Sequence, residues 1–343
     1  ENVHINDNQI TNCRAGIRIK QSLDDFKHAR LTLKNCTADR NYVTDCETAG
    51  VHWEHGNTSS GGLGGNVHGM SMSGNQVVTS RPNTLTGPDD LAMVNFKGGR
   101  SLSVVAGDCN IHQVSVDNNH CYLTNPVESP DPPKWTGVMV ALGAVNSTGG
   151  AGWGPSSIST VSVDGNHVRN VGVNGVNLEM TGYWTLNAQN AWTDITTARA
   201  ISLSNNLITG TDNQYYSVND IDGLLRCSLI FCVAQNFNIH GNQVRGFKDV
   251  ATSFQMTASY TGNGPDPLAA IRNRYWSVQG NTIIGSKSSV VVDVDWDGNI
   301  PFSGTVIGNS NTEVTGAGST HNFDDADWTF LGSSIQALNN KII

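Results

Sequence analysis

"VSVDNNHCYL" at 114–123 and "VSVDGNHVRN" at 161–170 are nearly the same ten residues written twice. In each, apolar and polar residues alternate, a polar pair ends in Asn, and a shorter apolar stretch follows. Alternation at every second position marks a strand. The phrase recurs as "VHINDNQITN" (3–12), "TADRNYVTDC" (37–46), "MSMSGNQVVT" (70–79), "ISLSNNLITG" (201–210), "FNIHGNQVRG" (237–246) and "WSVQGNTIIG" (276–285). Its marker asparagines are Asn8, Asn41, Asn75, Asn119, Asn166, Asn206, Asn242 and Asn281, at spacings of 33, 34, 44, 47, 40, 36 and 39. A degenerate copy lies near "TVIGNSNTEV" (305–314).

A constant motif on an unequal period predicts a solenoid whose coils carry insertions of different length. Most copies reach a further apolar strand: "GIRI" (16–19), "GVHW" (50–53), "LAMVNF" (91–96), "GVMVAL" (137–142), "GVNLEM" (175–180), "SLIFCV" (228–233), "TSFQM" (252–256) and "SVVVDVDW" (289–296). Three short strands per coil predict an all-β, right-handed parallel β-helix of about nine to ten coils, one domain spanning 1–343. We number the strands by role. Strand 1 is the "GVxV" strand, strand 2 precedes the marker Asn, and strand 3 follows it. Stacked at one tight turn, the marker amides can bond along the rod as a ladder. The Gly or Asn that precedes most of them tolerates the left-handed backbone such a turn needs. A propeller would repeat at a similar period but with four antiparallel strands per blade, and the regular alternation excludes a disordered low-complexity chain.

Composition narrows the function classes. Only 14% of residues are charged, with 37 Gly and 10 Pro, a balance unsuited to helices. The net charge of −9 argues against nucleic acid as partner. No apolar run approaches the roughly 20 residues that span a bilayer, so membrane insertion is not expected. The chain opens in a strand-like phrase, "ENVHIND", so residues are expected to precede it; the far end is open to the same reading. Seven cysteines without CxxC pairs or zinc spacing point to reduced thiols, with Cys13 and Cys46 stacking at equivalent repeat positions.

The "VxVxGNxVxN…GVxV" coil, which lacks any calcium-binding nonapeptide, resembles the pectate-lyase-like β-helix superfamily. It looks most like the central domains of phage tailspikes and capsule depolymerases. The paired NxD, DD, HG and RxK signatures of polygalacturonases are missing, and no motif of pectate lyases or mannuronan epimerases is found. The resemblance implies the fold and a bacterial surface polysaccharide as substrate. It further implies a homotrimer in a virion tail, made in the host cytoplasm; a secreted polysaccharide lyase or hydrolase is the alternative. A non-catalytic glycan-binding adhesin is the rival from a different class.

Insertions fall on either side of strand 1, and two walls of loops beside one strand face predict a groove there. Those loops carry Trp135, Trp153, Tyr183, Trp184, Trp192, Tyr215, Tyr216 and Tyr260, which are expected to be exposed. Such rings can stack on sugar faces, or can anchor loops to the rod. If Val176, Leu178 and Met180 point inward, Asn177 and Glu179 face the groove. The same parity turns out His52, Glu54, Gln255, Asp293 and Asp295. Glycoside hydrolysis needs two carboxyl groups about 5–9.5 Å apart. Glu179 with Asp220 or Asp222 is the first candidate catalytic pair, and Asp293 with Asp295 the second. Solvating an outer strand face is the plainer role for each acid. Elimination would need a base such as Lys97, Arg226 or Tyr183, and strand 1 looks short of cations, so hydrolysis of a neutral or basic glycan is preferred. Neither a cofactor nor a metal is implied: His52 and His55 are read as groove lining, and "SSGGLGGN" (59–66) lacks the GK[ST] of a phosphate loop.

Overall fold

The computed structural model describes residues 1–21, 32–57, 65–81, 92–101, 110–124, 135–143, 157–171, 174–182, 184–186, 192–210, 225–230, 232–250, 252–255, 273–288, 302–307, 310–312, 334–338 and 341–342. It is a right-handed parallel β-helix with three strands per coil. Strands of each role stack in parallel on their counterparts in the next coil. The strand-3 sheet (sheet 3) holds ten strands in unbroken order, from Gln9–Thr11 to Lys341–Ile342. The strand-1 sheet (sheet 1) holds seven, from Ala15–Gln21 to Thr252–Gln255. The strand-2 sheet (sheet 2) stacks from Thr32–Thr37 to Ser334–Leu338. The exception to parallel pairing is an antiparallel ribbon, in which Trp184–Leu186 pairs with the start of Trp192–Ser204. Apolar columns from each sheet fill the interior; sheet 1 contributes Val51, Val94, Val138 and Val176 and, beside them, Trp53, Phe96, Val140 and Leu178.

The marker asparagines form the expected ladder, and every amide in its interior is saturated. Asn119 Nδ2 donates to Asn166 Oδ1 on the next coil at 3.0 Å and to the Met72 carbonyl on the coil behind at 2.9 Å. Its own Oδ1 accepts both the backbone N–H and the Nδ2 of Asn75, each at 3.0 Å. The pattern repeats from Asn8 through Asn41, Asn75, Asn119, Asn166, Asn206 and Asn242 to Asn281. Two donors and two acceptor lone pairs are all that an amide side chain has.

A second ladder runs two residues earlier, where Asn6, Asp39, Asp117 and Asp164 each accept the N–H of the equivalent residue one coil on. Burial, opposed by the Ser202 hydroxyl, raises the Asp164 carboxyl above its ordinary value.

The residue before each marker is left-handed in every coil, from Asp7 to Gly280. The sequence pattern identifies that turn. It does not announce a second left-handed position six residues before the marker, within strand 2. Asn35, Gly69, Gln113, Thr160, Ala200 and Asn236 occupy it, with φ of 55° at Thr160. For a β-branched residue that conformation costs about 1–2 kcal/mol, and stacking on equivalent bends above and below holds it in place.

The glycine opening "GVxV" has a packing reason. A Cβ on Gly137 would come within 2.5 Å of the Gly175 carbonyl and 2.4 Å of Val168 on sheet 3. Cys46 is buried and Cys13 half-buried, both as free thiols; burial pushes the Cys46 thiol up to about 12.

Replacing Asn166 with Ala removes the acceptor of the Asn119 N–H and of one of the two Asn119 Nδ2 hydrogens, and the donor to the Val116 carbonyl. We expect a loss of at least about 3 kcal/mol in urea unfolding. Asn8→Ala, at the exposed end of the ladder, is expected to cost under about 1 kcal/mol. Equal losses would refute the ladder's role.

Candidate functional site on the outward face of sheet 1

Register along sheet 1 sorts its outward side chains into rows that cross the coils. One row runs Lys20, Glu54, Lys97, Ala141, Glu179, Ser228, Gln255. The neighbouring row runs Arg18, His52, Asn95, Met139, Asn177, Arg226, Ser253. Val176, Leu178 and Met180 do point into the core, so Asn177 and Glu179 face outward as parity requires. Glu54, Glu179 and Gln255 share one row, as expected.

The face differs from the expected one in two ways. The first is its burial. His52, Glu54, Asn95, Lys97, Met139 and Asn177 all lie on the outside of the sheet, yet all are buried. Asn177 is 4% exposed and Thr181, four residues on and on the same side, is 1% exposed. An open strip of strand would leave them wet.

The second is charge. The expectation that strand 1 is short of cations does not hold. Arg18, Lys20, Lys97 and Arg226 stand on this face against Glu54 and Glu179. The sequence pattern "LAMVNFKG" carries the signal, because its alternation turns Asn95 and Lys97 outward. Local positive charge also removes the objection to an acidic sugar that the net charge raised.

Around Glu179 the surface is stepped. Its row neighbours are Ala141 and Ser228, and Gly143 lies beside Thr181. Ala141 stands between Lys97 and Glu179 in the row, the smallest side chain of the three. Three oxygens bound that step on the strand Val176–Thr181: Asn177 Oδ1, the Glu179 carboxylate and Thr181 Oγ1. Asn177 Oδ1 and Thr181 Oγ1 are buried and have no hydrogen-bond partner among the described residues, nor has Oδ1 of Asn174 in the turn before. Buried oxygens of this kind cost free energy until something donates to them.

Glu54 is not the second carboxylate of a hydrolytic pair with Glu179. Three strand steps separate them, roughly 14 Å, beyond the about 9.5 Å that an inverting pair spans. The expected partners Asp220 and Asp222 lie outside the described residues, as do Asp293 and Asp295.

The aromatic residues divide. Trp135 is not an exposed platform. It is fully buried in the core, and its Nε1 donates to the Arg81 carbonyl at 2.8 Å; it anchors the entry to strand Thr136–Gly143. The antiparallel ribbon carries Trp184 and Trp192 on opposite strands, just past Thr181. Trp153, Tyr183, Tyr215, Tyr216 and Tyr260 lie outside the described residues, and Gln255 is placed by its backbone alone.

His55 does not line the outward face. By alternation it lies on the Trp53 side of its strand, and it packs so closely that a Cβ on Gly65 would come within 2.4 Å of its Cε1. Neither ring nitrogen has a hydrogen-bond partner among the described residues. Also among the described residues, no three His, Cys, Asp or Glu side chains gather as a metal cluster, and no helix is long and apolar enough to cross a membrane. No family model matches the chain, and neither a curated protein nor a solved structure is significantly similar to it.

Burial pushes the His55 imidazole down to about 4. The unfolded ring takes its proton near 6.5, so the folded state favours the neutral form. The stability this preference contributes is complete above about pH 6.5 and is lost as the pH falls toward about 4, where the loss reaches about 3 kcal/mol. His55→Met should therefore shrink the fall in urea midpoint between about pH 7 and about pH 4.5. An undiminished fall would show that the ring is not buried neutral.

Proposed function

We propose that this chain is a polysaccharide depolymerase of the phage-tailspike kind. It threads a bacterial surface glycan, capsule or O-antigen, across sheet 1 and cleaves it over Ala141. The observation that carries the reading is the set of buried, partnerless oxygens of Asn177 and Thr181 flanking Glu179. A sugar hydroxyl is the natural donor to such oxygens, and the step over Ala141 and Gly143 accommodates a ring. Trp184 and Trp192 lie on the paired strands that follow Thr181 in the chain, placed by their backbone alone.

In the hydrolytic mechanism Glu179 is one of two carboxyl groups, with Asp220 or Asp222 from the loop entering the next coil as its partner. One donates a proton to the glycosidic oxygen as the C–O bond breaks. The other accepts a proton from the attacking water. Lys97 and Arg226 favour a second reading, elimination on an acidic sugar. There the cations stabilise the charge that develops when the proton next to the carboxylate is removed.

Assembly as a homotrimer in the virion tail belongs to the same proposal. Its support is the exposed side chains of Tyr42, Tyr122 and Leu207 on sheet 3, separate apolar contacts that a neighbouring rod would cover.

The test is incubation with a panel of capsules and O-antigens, followed by mass spectrometry of the fragments. The parent chain should release oligosaccharides with new reducing ends from at least one polymer. Glu179→Gln should slow release by about a thousandfold while leaving polymer binding in place. Fragments that absorb ultraviolet light as unsaturated sugars would replace hydrolysis by elimination. Binding without any shortening of the polymer would identify an adhesin and overturn the proposal.

A further inference from the structure

Sheet 2 carries a second row that the reading of sheet 1 does not use. In register from coil to coil it runs Lys34, His68, His112, Ser159, Arg199, Gln235, Arg274. Its flanking strand-2 partners, Leu33, Val67, Ile111, Ile158 and Ala198, are core residues, so alternation turns the row outward. Lys34 and Arg199 are exposed, while His68 and His112 are half-buried. His112 Nδ1 and Ser159 Oγ lie 2.8 Å apart in a hydrogen bond.

The positions on either side are mostly amides and hydroxyls, with Gly69, Ala200 and Val233 among them. On one side stand Thr32, Asn66, Asn110, Ser157 and Thr197; on the other are Asn35, Gln113, Thr160 and Asn236. The first set is itself linked, since Ser157 Oγ donates to Asn110 Oδ1 and the Asn110 N–H to Asn66 Oδ1. Among the described residues from strand Thr32–Thr37 onward, this strip holds no carboxylate; Glu1 lies one coil before Lys34. Asp194 precedes the strip on the strand Trp192–Ser204, and Asp39, Asp117 and Asp164 lie just past the ends of their strands, bonded to serine hydroxyls.

Such segregation is unexpected on a chain of net charge −9. It makes a row of basic and neutral polar side chains free of acids, from Lys34 to Arg199 four strand steps or roughly 19 Å long, edged for the most part by groups that both donate and accept hydrogen bonds. We infer that this strip of sheet 2 is a second binding surface for a linear anionic polysaccharide, bearing carboxylate or sulfate groups, distinct from the site on sheet 1. Charge complementarity selects an anionic polymer, and the amide and hydroxyl borders suit sugar hydroxyls. Single-stranded nucleic acid fits less well, because among its described residues the strip offers no Phe, Tyr or Trp on which bases could stack. The surface holds the polymer alongside the rod without cleaving it.

The inference does not depend on the chemistry proposed for sheet 1, and its test separates the two. Binding of polygalacturonate, dextran sulfate, neutral dextran and an oligothymidylate is measured at physiological salt. The parent is compared with the double variant Lys34→Gln, Arg199→Gln. A control pair, Arg169→Gln with Arg245→Gln, removes equal exposed charge from sheet 3. One or both anionic glycans should bind and neutral dextran should not, the choice between them distinguishing carboxylate from sulfate. The sheet 2 variant should bind at least about tenfold more weakly, the size expected for two lost charge-assisted contacts. The control should bind as the parent does, and fragment release from the sheet 1 substrate should be unchanged in all three. The inference is overturned if neither anionic glycan binds, if both variants weaken equally, or if the oligothymidylate binds as well as the glycans.

Discussion

Burying a row of amides is what this architecture depends on. Each coil must turn sharply between strands 2 and 3, and the turn brings backbone N–H and C=O groups into a dry interior. Left unbonded, each would cost about 1–3 kcal/mol. The marker Asn answers for its own coil and both neighbours, because its two donors and its oxygen are all engaged. A coil shifted by one residue along its strand would break that set and turn its apolar column to solvent. The ladder therefore couples local turn geometry to global register.

Register in turn creates the rows on the outer faces. Side chains 40 or so residues apart become neighbours one strand spacing apart, with no contact between loops required. Glu54, Lys97, Ala141 and Glu179 meet in this way, and so do Lys34, His68 and His112 on sheet 2. A rigid stack suits a polymeric ligand, since a row of fixed pitch offers successive subsites without rearrangement. The unequal periods place the variable insertions beside sheet 1 and leave the ladder turn constant.

The repeat phrase made the fold legible because a solenoid writes its core alternation once per coil. Most of the strands, the ladder and its preceding left-handed turn could be read from it, although "SLIFCV" (228–233) spans the end of the sheet 1 strand Leu225–Ile230 and the start of the sheet 2 strand Cys232–His240. The left-handed bend inside strand 2 could not. Asn35, Gln113, Thr160 and Ala200 share no residue type, and the bend is imposed by stacking rather than by local preference. The site was legible in part. Parity correctly turned out Asn177 and Glu179, because that rule needs nothing but a strand. It could not tell that Asn177, Asn95 and Lys97 are buried while facing outward, since burial of an outer face depends on what lies across it. Trp135 was misread for the same reason: an aromatic at the edge of an insertion looks like a loop residue until its N–H is seen bonded to Arg81.

The account stands most directly on one measurement, a crystal structure of the Glu179→Gln chain with an oligosaccharide of the polymer it cleaves. A sugar ring seated over Ala141, between Lys97 and residue 179, with hydroxyls donating to Asn177 Oδ1 and Thr181 Oγ1, is the predicted result. An oligosaccharide bound on another face, with those oxygens bonded instead to the chain's own loops, would contradict it.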